Sequence, residues 1–226
     1  MAHVVPQWAA ATARAAPNAY RNVAMFLDGT LRPTCMPCPK EPPPGVTQYE
    51  LQRAQYTRHK KRHGFKMHAL VAPCGIATHW HGPCDGRRHD MFILTDSGIV
   101  PRLQGLTIGN VDYMVYADSA YPVMRNLMCP VPRINAPPGS RAARLNATMA
   151  AARTVASEIY YGITTNKFQS VDFDRWQRQY LTAPALQYHI SLLLINCHTC
   201  LNGHNKISDY FDCTPPSLHT YLSGSY

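Results

Sequence analysis

Three acidic residues stand where chemistry could be done. Asp28 ends the apolar run Val23 to Leu27, and Asp118 ends a second one, Tyr113 to Ala117. An apolar run stopping at an acid reads as a buried strand that delivers a carboxylate at its end. Glu158 lies in a long stretch free of Pro and Gly, Arg141 to Tyr161, which reads as a helix. Two Asp and one Glu on neighbouring elements form a hard oxygen set suited to Mg²⁺, which keeps several waters and takes few carboxylates. Two such ions about 3.5 to 4 Å apart activate an attacking oxygen and stabilise a leaving one, the requirement for cutting or transferring a phosphodiester. Without metal, clustered carboxylates would repel and raise one another's pKa. Each acid alone also has an ordinary reading, as a turn or cap residue for the Asp and a solvated helix residue for the Glu.

The elements that must position these acids follow from the pattern. A helix is predicted over Trp8 to Ala15, ahead of the first strand. From Arg32 to Gly45 six Pro and two Cys interrupt regular structure, so this is a long loop. Phe65 to Ala72 and Ile76 to His81 flank a turn at Pro73 to Gly75 and read as a hairpin. Gly86-Arg87-Arg88-His89-Asp90 leads into Met91 to Leu94, where Asp90 suits a helix N-cap; a fourth acid beside the metals is its other reading. His89 either contacts substrate or hydrogen-bonds locally. In the helix from Arg141, the residues Leu145, Met149, Ala152, Ala156, Ile159 and Ile163 make an apolar stripe at steps of four and three. Glu158 sits beside it with the small neighbours Ala151, Thr154 and Val155, a face able to approach a sheet closely. A last apolar helix is predicted over Pro184 to Cys200, before a polar tail. There is no internal repeat.

Composition narrows the partners. The 226 residues suit a single domain, 1–226. A formal net charge of +9 on a chain only 15% charged implies a positive face and a polyanionic partner. Lys60, Lys61, Arg62 and Lys66 cluster on the first arm of the hairpin, where they would meet phosphates without reading sequence; a solvated basic strand is the alternative. No apolar run is long enough for a membrane span, and no signal peptide is evident at the N-terminus. The eight Cys then read as thiols rather than a disulfide framework, although an even number permits bridges. Cys35 and Cys38 share the Cys-x-x-Cys spacing of Cys197 and Cys200, a four-thiolate zinc site if they meet. His79, His81, Cys74 and Cys84 widen the options for zinc, while burial of the second pair in a helix would be ordinary packing.

Taken in order, Phe26-Leu27-Asp28-Gly29-Thr30, Arg58-His59-Lys60, Gly82-Pro83 with Gly86-Arg87-Arg88-His89-Asp90, Ala117-Asp118-Ser119-Ala120-Tyr121-Pro122, and the helix with Glu158 and Gly162 resemble the successive blocks of the Harbinger-type DDE superfamily endonuclease domain. Leu194-Ile195-Asn196-Cys197, Tyr210-Phe211 and Pro215-Pro216-Ser217-Leu218 resemble the end of one branch of that family. The resemblance runs from about Trp8 to the C-terminus. It implies an α/β, ribonuclease-H-like mixed sheet flanked by helices, two-metal cleavage and strand transfer of DNA with Mg²⁺ or Mn²⁺, and Asp28, Asp118 and Glu158 as metal ligands. It also implies a nuclear location and, as in some Harbinger-type systems, a Myb-like protein partner. The family's N-terminal DNA-recognition region is missing from the pattern, so a catalytically inactive, transposase-derived DNA-binding or scaffolding protein is the alternative function. Two departures touch the third acid. The family places an Arg four residues before the Glu, whereas Arg153 is five before Glu158, implying a bulge or an insertion, and Ile159 replaces the aromatic that usually follows.

Overall fold

Five consecutive apolar residues from Val23 to Leu27 suit a strand covered on both faces. In the computed structural model, which describes residues 3–17, 20–172, 177–178 and 183–224, both faces of that strand are covered. In chain order come α1 (Val4–Ala15), β1 (Val23–Pro33), α2 (Gln48–Gln55), β2 (Tyr56–Thr57), β3 (Arg62–Val71), β4 (Ala77–Asp85), α3 (Asp90–Asp96) and α4 (Val100–Gln104). A small ribbon of β5 (Thr107–Ile108) and β6 (Val111–Asp112) precedes β7 (Met114–Ala117) and β8 (Leu127–Met128). The helices α5 (Arg141–Lys167), α6 (Pro184–Asn202), α7 (Lys206–Phe211) and α8 (Leu218–Leu222) complete the described chain.

The main sheet runs β4, β3, β1, β7, β8, with β2 paired to the start of β3. Strands β4, β3 and β1 are mutually antiparallel, whereas β1, β7 and β8 are parallel. This is the mixed, helix-flanked sheet of a ribonuclease-H-like fold. On one face α5 lays Met149, Ala152, Ala156 and Tyr160 against Phe26, Met67, Ala69 and Tyr116. On the other, Val5 and Trp8 of α1, Leu94 of α3 and Leu103 of α4 cover Met25, Leu27, Leu70 and Val115. The pleat sends Phe26 to one layer and Met25 and Leu27 to the other, so an unbroken apolar run serves both.

The hairpin forms as read, with longer arms: β3 begins at Arg62 and β4 runs on to Asp85. Its turn closes through Ala72 N–H to the Ile76 carbonyl (2.9 Å) and Gly75 N–H to the Ala72 carbonyl (2.9 Å). Gly75 has φ +85°, and a Cβ there would strike the Asn205 side chain, so glycine is required. From α6, the wholly buried Asn196 clamps the start of β4. Its Oδ1 accepts from Ala77 N–H (3.0 Å) and its Nδ2 donates to the Ala77 carbonyl (2.7 Å).

Several local expectations are corrected. β1 does not stop at Asp28 but continues to Pro33, because β3 pairs with it through Gly64 opposite Pro33; backbone pairing extends the strand past the end of its apolar run. Asp90 is the first residue of α3 and not its cap. His89 holds that position without a side-chain cap, and the Asp90 carboxylate pairs with Lys66 instead (3.0 Å). On α5 the core face includes the polar Ser157 and Thr164, while Leu145, Ile159 and Ile163 are only half-buried. The Glu158 face, with Ala151 and Thr154, is exposed and does not approach the sheet. The outer face of α6 likewise leaves Leu186, Ile190, Leu193 and Leu194 exposed. No described helix is long and apolar enough to cross a membrane.

Candidate active site

The parallel register of β1 and β7 sets Leu27 beside Ala117, and the next residue on each chain is an Asp. Asp28 and Asp118 therefore stand at the same level on adjacent strands, which lie roughly 5 Å apart in any sheet. Between them α5 inserts Arg153. Its Nη1 lies 2.7 Å from Asp28 Oδ2, and its Nη2 lies 3.9 Å from Asp118 Oδ1. The Asp28 side chain is 14% exposed and that of Asp118 43%, so the first acid is the desolvated one.

Two more groups fix Asp28. Gly29 N–H donates to its Oδ1 (3.0 Å), and the Tyr161 hydroxyl donates to its main-chain carbonyl (2.8 Å). Burial pushes the Asp28 carboxyl up to about 6, because a low-dielectric setting penalises the charged form. Arg153 and the Gly29 N–H oppose this, and the negative charges of Asp118 and Glu158 add to it.

Glu158 lines a cleft of about 700 Å³ with Asp28, Thr30, Lys60, Arg62, Arg153 and Tyr161. It is on the wall rather than at the centre. Asp28, Asp118 and Glu158 are not a group whose carboxylate oxygens lie within 4.8 Å of one another. The implied bulge is absent, since α5 is an unbroken α-helix from Arg141 to Lys167. Five residues of ideal helix turn Glu158 about 140° from Arg153, so the helix phase that brings Arg153 to the Asp pair directs Glu158 elsewhere on the cleft lining. Arg153 entered the sequence reading only through its spacing, and Tyr161 only as the end of the helical stretch. Both lie on the side of α5 that carries Ser157, but polar residues do not register in an apolar-period search.

The opposite face of β1 carries a second polar cluster. A Cβ on Gly29 would lie 3.3 Å from both Asp90 Oδ1 and the Tyr121 hydroxyl, so the absence of a side chain lets both groups reach the strand that bears Asp28. Asp90 is thus a neighbour of the acid site, across the sheet from Arg153.

The basic residues divide. Lys60 and Arg62 line the acid cleft. Lys61 sits at the exposed turn with φ +52°. Lys66 is held by Asp90 and so is not a free phosphate contact. It faces a second cleft of about 750 Å³, together with Arg53, Arg58, His59, Arg87 and Arg88 and the exposed ring of Tyr49. All eight cysteines are free thiols. Cys35, Cys38, Cys197 and Cys200 do not form a four-thiolate group among the described residues; Cys200 packs in the core, and Cys38 Sγ accepts from Gln48 Nε2 (3.2 Å).

The family model of the DDE superfamily endonucleases matches residues 28–195, a span that takes in all three acids. The chain belongs to this family. A comparison with curated proteins finds no match, and a comparison with solved structures finds none either. Membership of the DDE superfamily endonucleases supports a transposase-derived nuclease domain. The residues fit the divalent ion such enzymes generally use. Asp28 and Asp118 offer hard oxygens side by side, and the desolvated Asp28 carboxylate is stabilised by any adjacent cation. In this structure the Arg153 guanidinium is that cation.

Proposed function

We propose that this chain is a metal-dependent DNA endonuclease or transposase catalytic domain. In this reading Asp28, Asp118 and Glu158 hold Mg²⁺ or Mn²⁺, and water or a DNA 3′-hydroxyl is the nucleophile. The observation that carries it is the β1–β7 register, which puts two carboxylates on neighbouring parallel strands at one guanidinium. Bound ions would supply activation of the attacking oxygen and stabilisation of the leaving one.

The chain's own groups do the rest. Asp28 is held at fixed height by Tyr161 and Gly29, so its free oxygen is preorganised. Glu158, exposed on the cleft wall, completes the ligand set by turning inward. Arg153 holds the two Asp carboxylates together before loading, and once released it offers a bidentate donor to a phosphate. Lys60 and Arg62 at the cleft and Arg53, Arg58 and Arg87 of the second cleft bind backbone phosphates, which positions DNA without specifying sequence. Recognition of particular DNA ends would fall to a partner, for which a Myb-like protein is the candidate, and the nucleus is the location that goes with this reading.

A second reading, a catalytically inactive transposase-derived DNA-binding or scaffolding protein, is favoured by one observation. Arg153 sits at the Asp pair while Glu158 stands away from it, an arrangement stable without metal. Cleavage of supercoiled plasmid in Mg²⁺ or Mn²⁺ separates the two. The nuclease reading predicts nicking by the wild type and its loss in Asp118→Asn. Equal activity in both proteins sinks the assignment of Asp118 as a catalytic ligand, and no activity in either alongside intact DNA binding supports the second reading.

A further inference from the structure

Away from the acid cleft the structure gathers a second set of ligand-type side chains, of different chemistry. His81 and Cys84 on β4 and Asp96 at the end of α3 bring an imidazole nitrogen, a sulfur and a carboxylate oxygen within 4.8 Å of one another. Among the described residues this is the group of three or more His, Cys, Asp or Glu side chains that does so. His81 Nε2 is 2.8 Å from Asp96 Oδ2, and Cys84 Sγ is 3.9 Å from the same oxygen. Ligands around a tetrahedral zinc ion, with bonds of roughly 2.0 to 2.3 Å, stand about 3.5 Å apart, and these separations bracket that value.

The sequence builds this cluster through an irregularity. His81 and Cys84 are three apart, and in a regular strand an odd separation puts two side chains on opposite faces. Here His81 pairs with His68 and Cys84 with Lys66, so β4 carries one extra residue against β3. That bulge turns both ligands to the face covered by α3, where Asp96 meets them.

An unpartnered group lies beside the cluster. His68, the cross-strand partner of His81, is wholly buried, and neither of its ring nitrogens has a hydrogen-bond partner. Its ring lies 6.0 Å from that of His81, centre to centre. A buried imidazole without partners is costly, and a water bound in the cluster would give it one.

We propose that His81, Cys84 and Asp96 form a binding site for a transition-metal ion of the zinc type, with water in the fourth position hydrogen-bonded to His68. A thiolate and an imidazole together select such an ion over Mg²⁺ or Mn²⁺, which prefer all-oxygen sets. On binding, Cys84 forms its bond to the metal as a thiolate and its proton leaves to solvent. The ion ties β4 to the C-terminal end of α3. The other end of α3 carries Asp90, which grips Lys66 and rests on Gly29 beside Asp28. The role is structural and does not depend on the nuclease reading of the acid cleft.

The test is cobalt titration of the full-length chain after dialysis against chelator. In the wild type a thiolate-to-cobalt charge-transfer absorption should rise with Co²⁺ and saturate, a signal that ions bound in the all-oxygen acid cleft cannot produce. Cys84→Ser should abolish that absorption, and Asp96→Asn should weaken Co²⁺ binding roughly tenfold or more. The Asp96 side chain is 49% exposed, so this variant retains the fold, as circular dichroism will check, and decides the matter should Cys84→Ser misfold. No thiolate absorption in the wild type overturns the proposal, as does absorption and affinity unchanged by Asp96→Asn.

Discussion

Replacing Asp28 by Asn should make the metal-free protein more stable at neutral pH. Burial raises the Asp28 carboxyl from 3.8 to about 6, and each pKa unit is about 1.4 kcal/mol, so ionising it in the fold costs about 3 kcal/mol. The folded state holds this proton more tightly than the unfolded state. The stability it confers is therefore complete below about pH 4 and is lost as pH rises through about 6. Asn is neutral throughout, keeps the side-chain volume, and escapes that loss. In chelator at pH 7.5 the variant should gain up to about 3 kcal/mol, or roughly 6 to 12 °C in Tm for a chain of this size, while at pH 4 the two proteins should coincide. Urea or thermal unfolding followed by circular dichroism measures both points. Adding Mn²⁺ should then stabilise the wild type and leave Asp28→Asn unmoved. If the Asn variant is no more stable than the wild type at pH 7.5 in chelator, Asp28 is not a desolvated carboxylate, and the reasoning about its charge is wrong.

Arg153→Met removes the cation that competes for Asp28 Oδ2, so Mn²⁺ binding measured by calorimetry should tighten by roughly tenfold; weaker binding would show that Arg153 helps to build the site. Lys60→Ala with Arg62→Ala should weaken duplex binding about equally on unrelated sequences and reduce the slope of log K against log salt by about 2, as read by fluorescence anisotropy at several salt concentrations. Asn196→Ala strands the buried N–H and carbonyl of Ala77 and should cost about 2 to 4 kcal/mol in urea unfolding, whereas a loss under 1 kcal/mol would mean that water takes its place.

What the chain reveals unfolded and what it reveals only when folded divide along a physical line. Apolar period and chain punctuation are local, so the strands leading to Asp28 and Asp118, the hairpin, and the long helix carrying Glu158 were legible, and with them the place of the acid site. Asp28 looked like a strand end because the apolar run stops there, but β1 continues as far as β3 pairs with it. Asp90 looked like a cap because its type and position allow one, but a lysine across the cluster takes its carboxylate. The Arg153 bridge, the turning of Glu158 out along the cleft, and the meeting of His81 and Cys84 through a bulge all depend on register and helix phase. Those are set by the packing of distant segments against one another. A shift of one residue in a strand reverses its faces and a shift of one in a helix turns a side chain by about 100°, so residue pattern and family resemblance together named the acids and only the tertiary structure decided which of them meet.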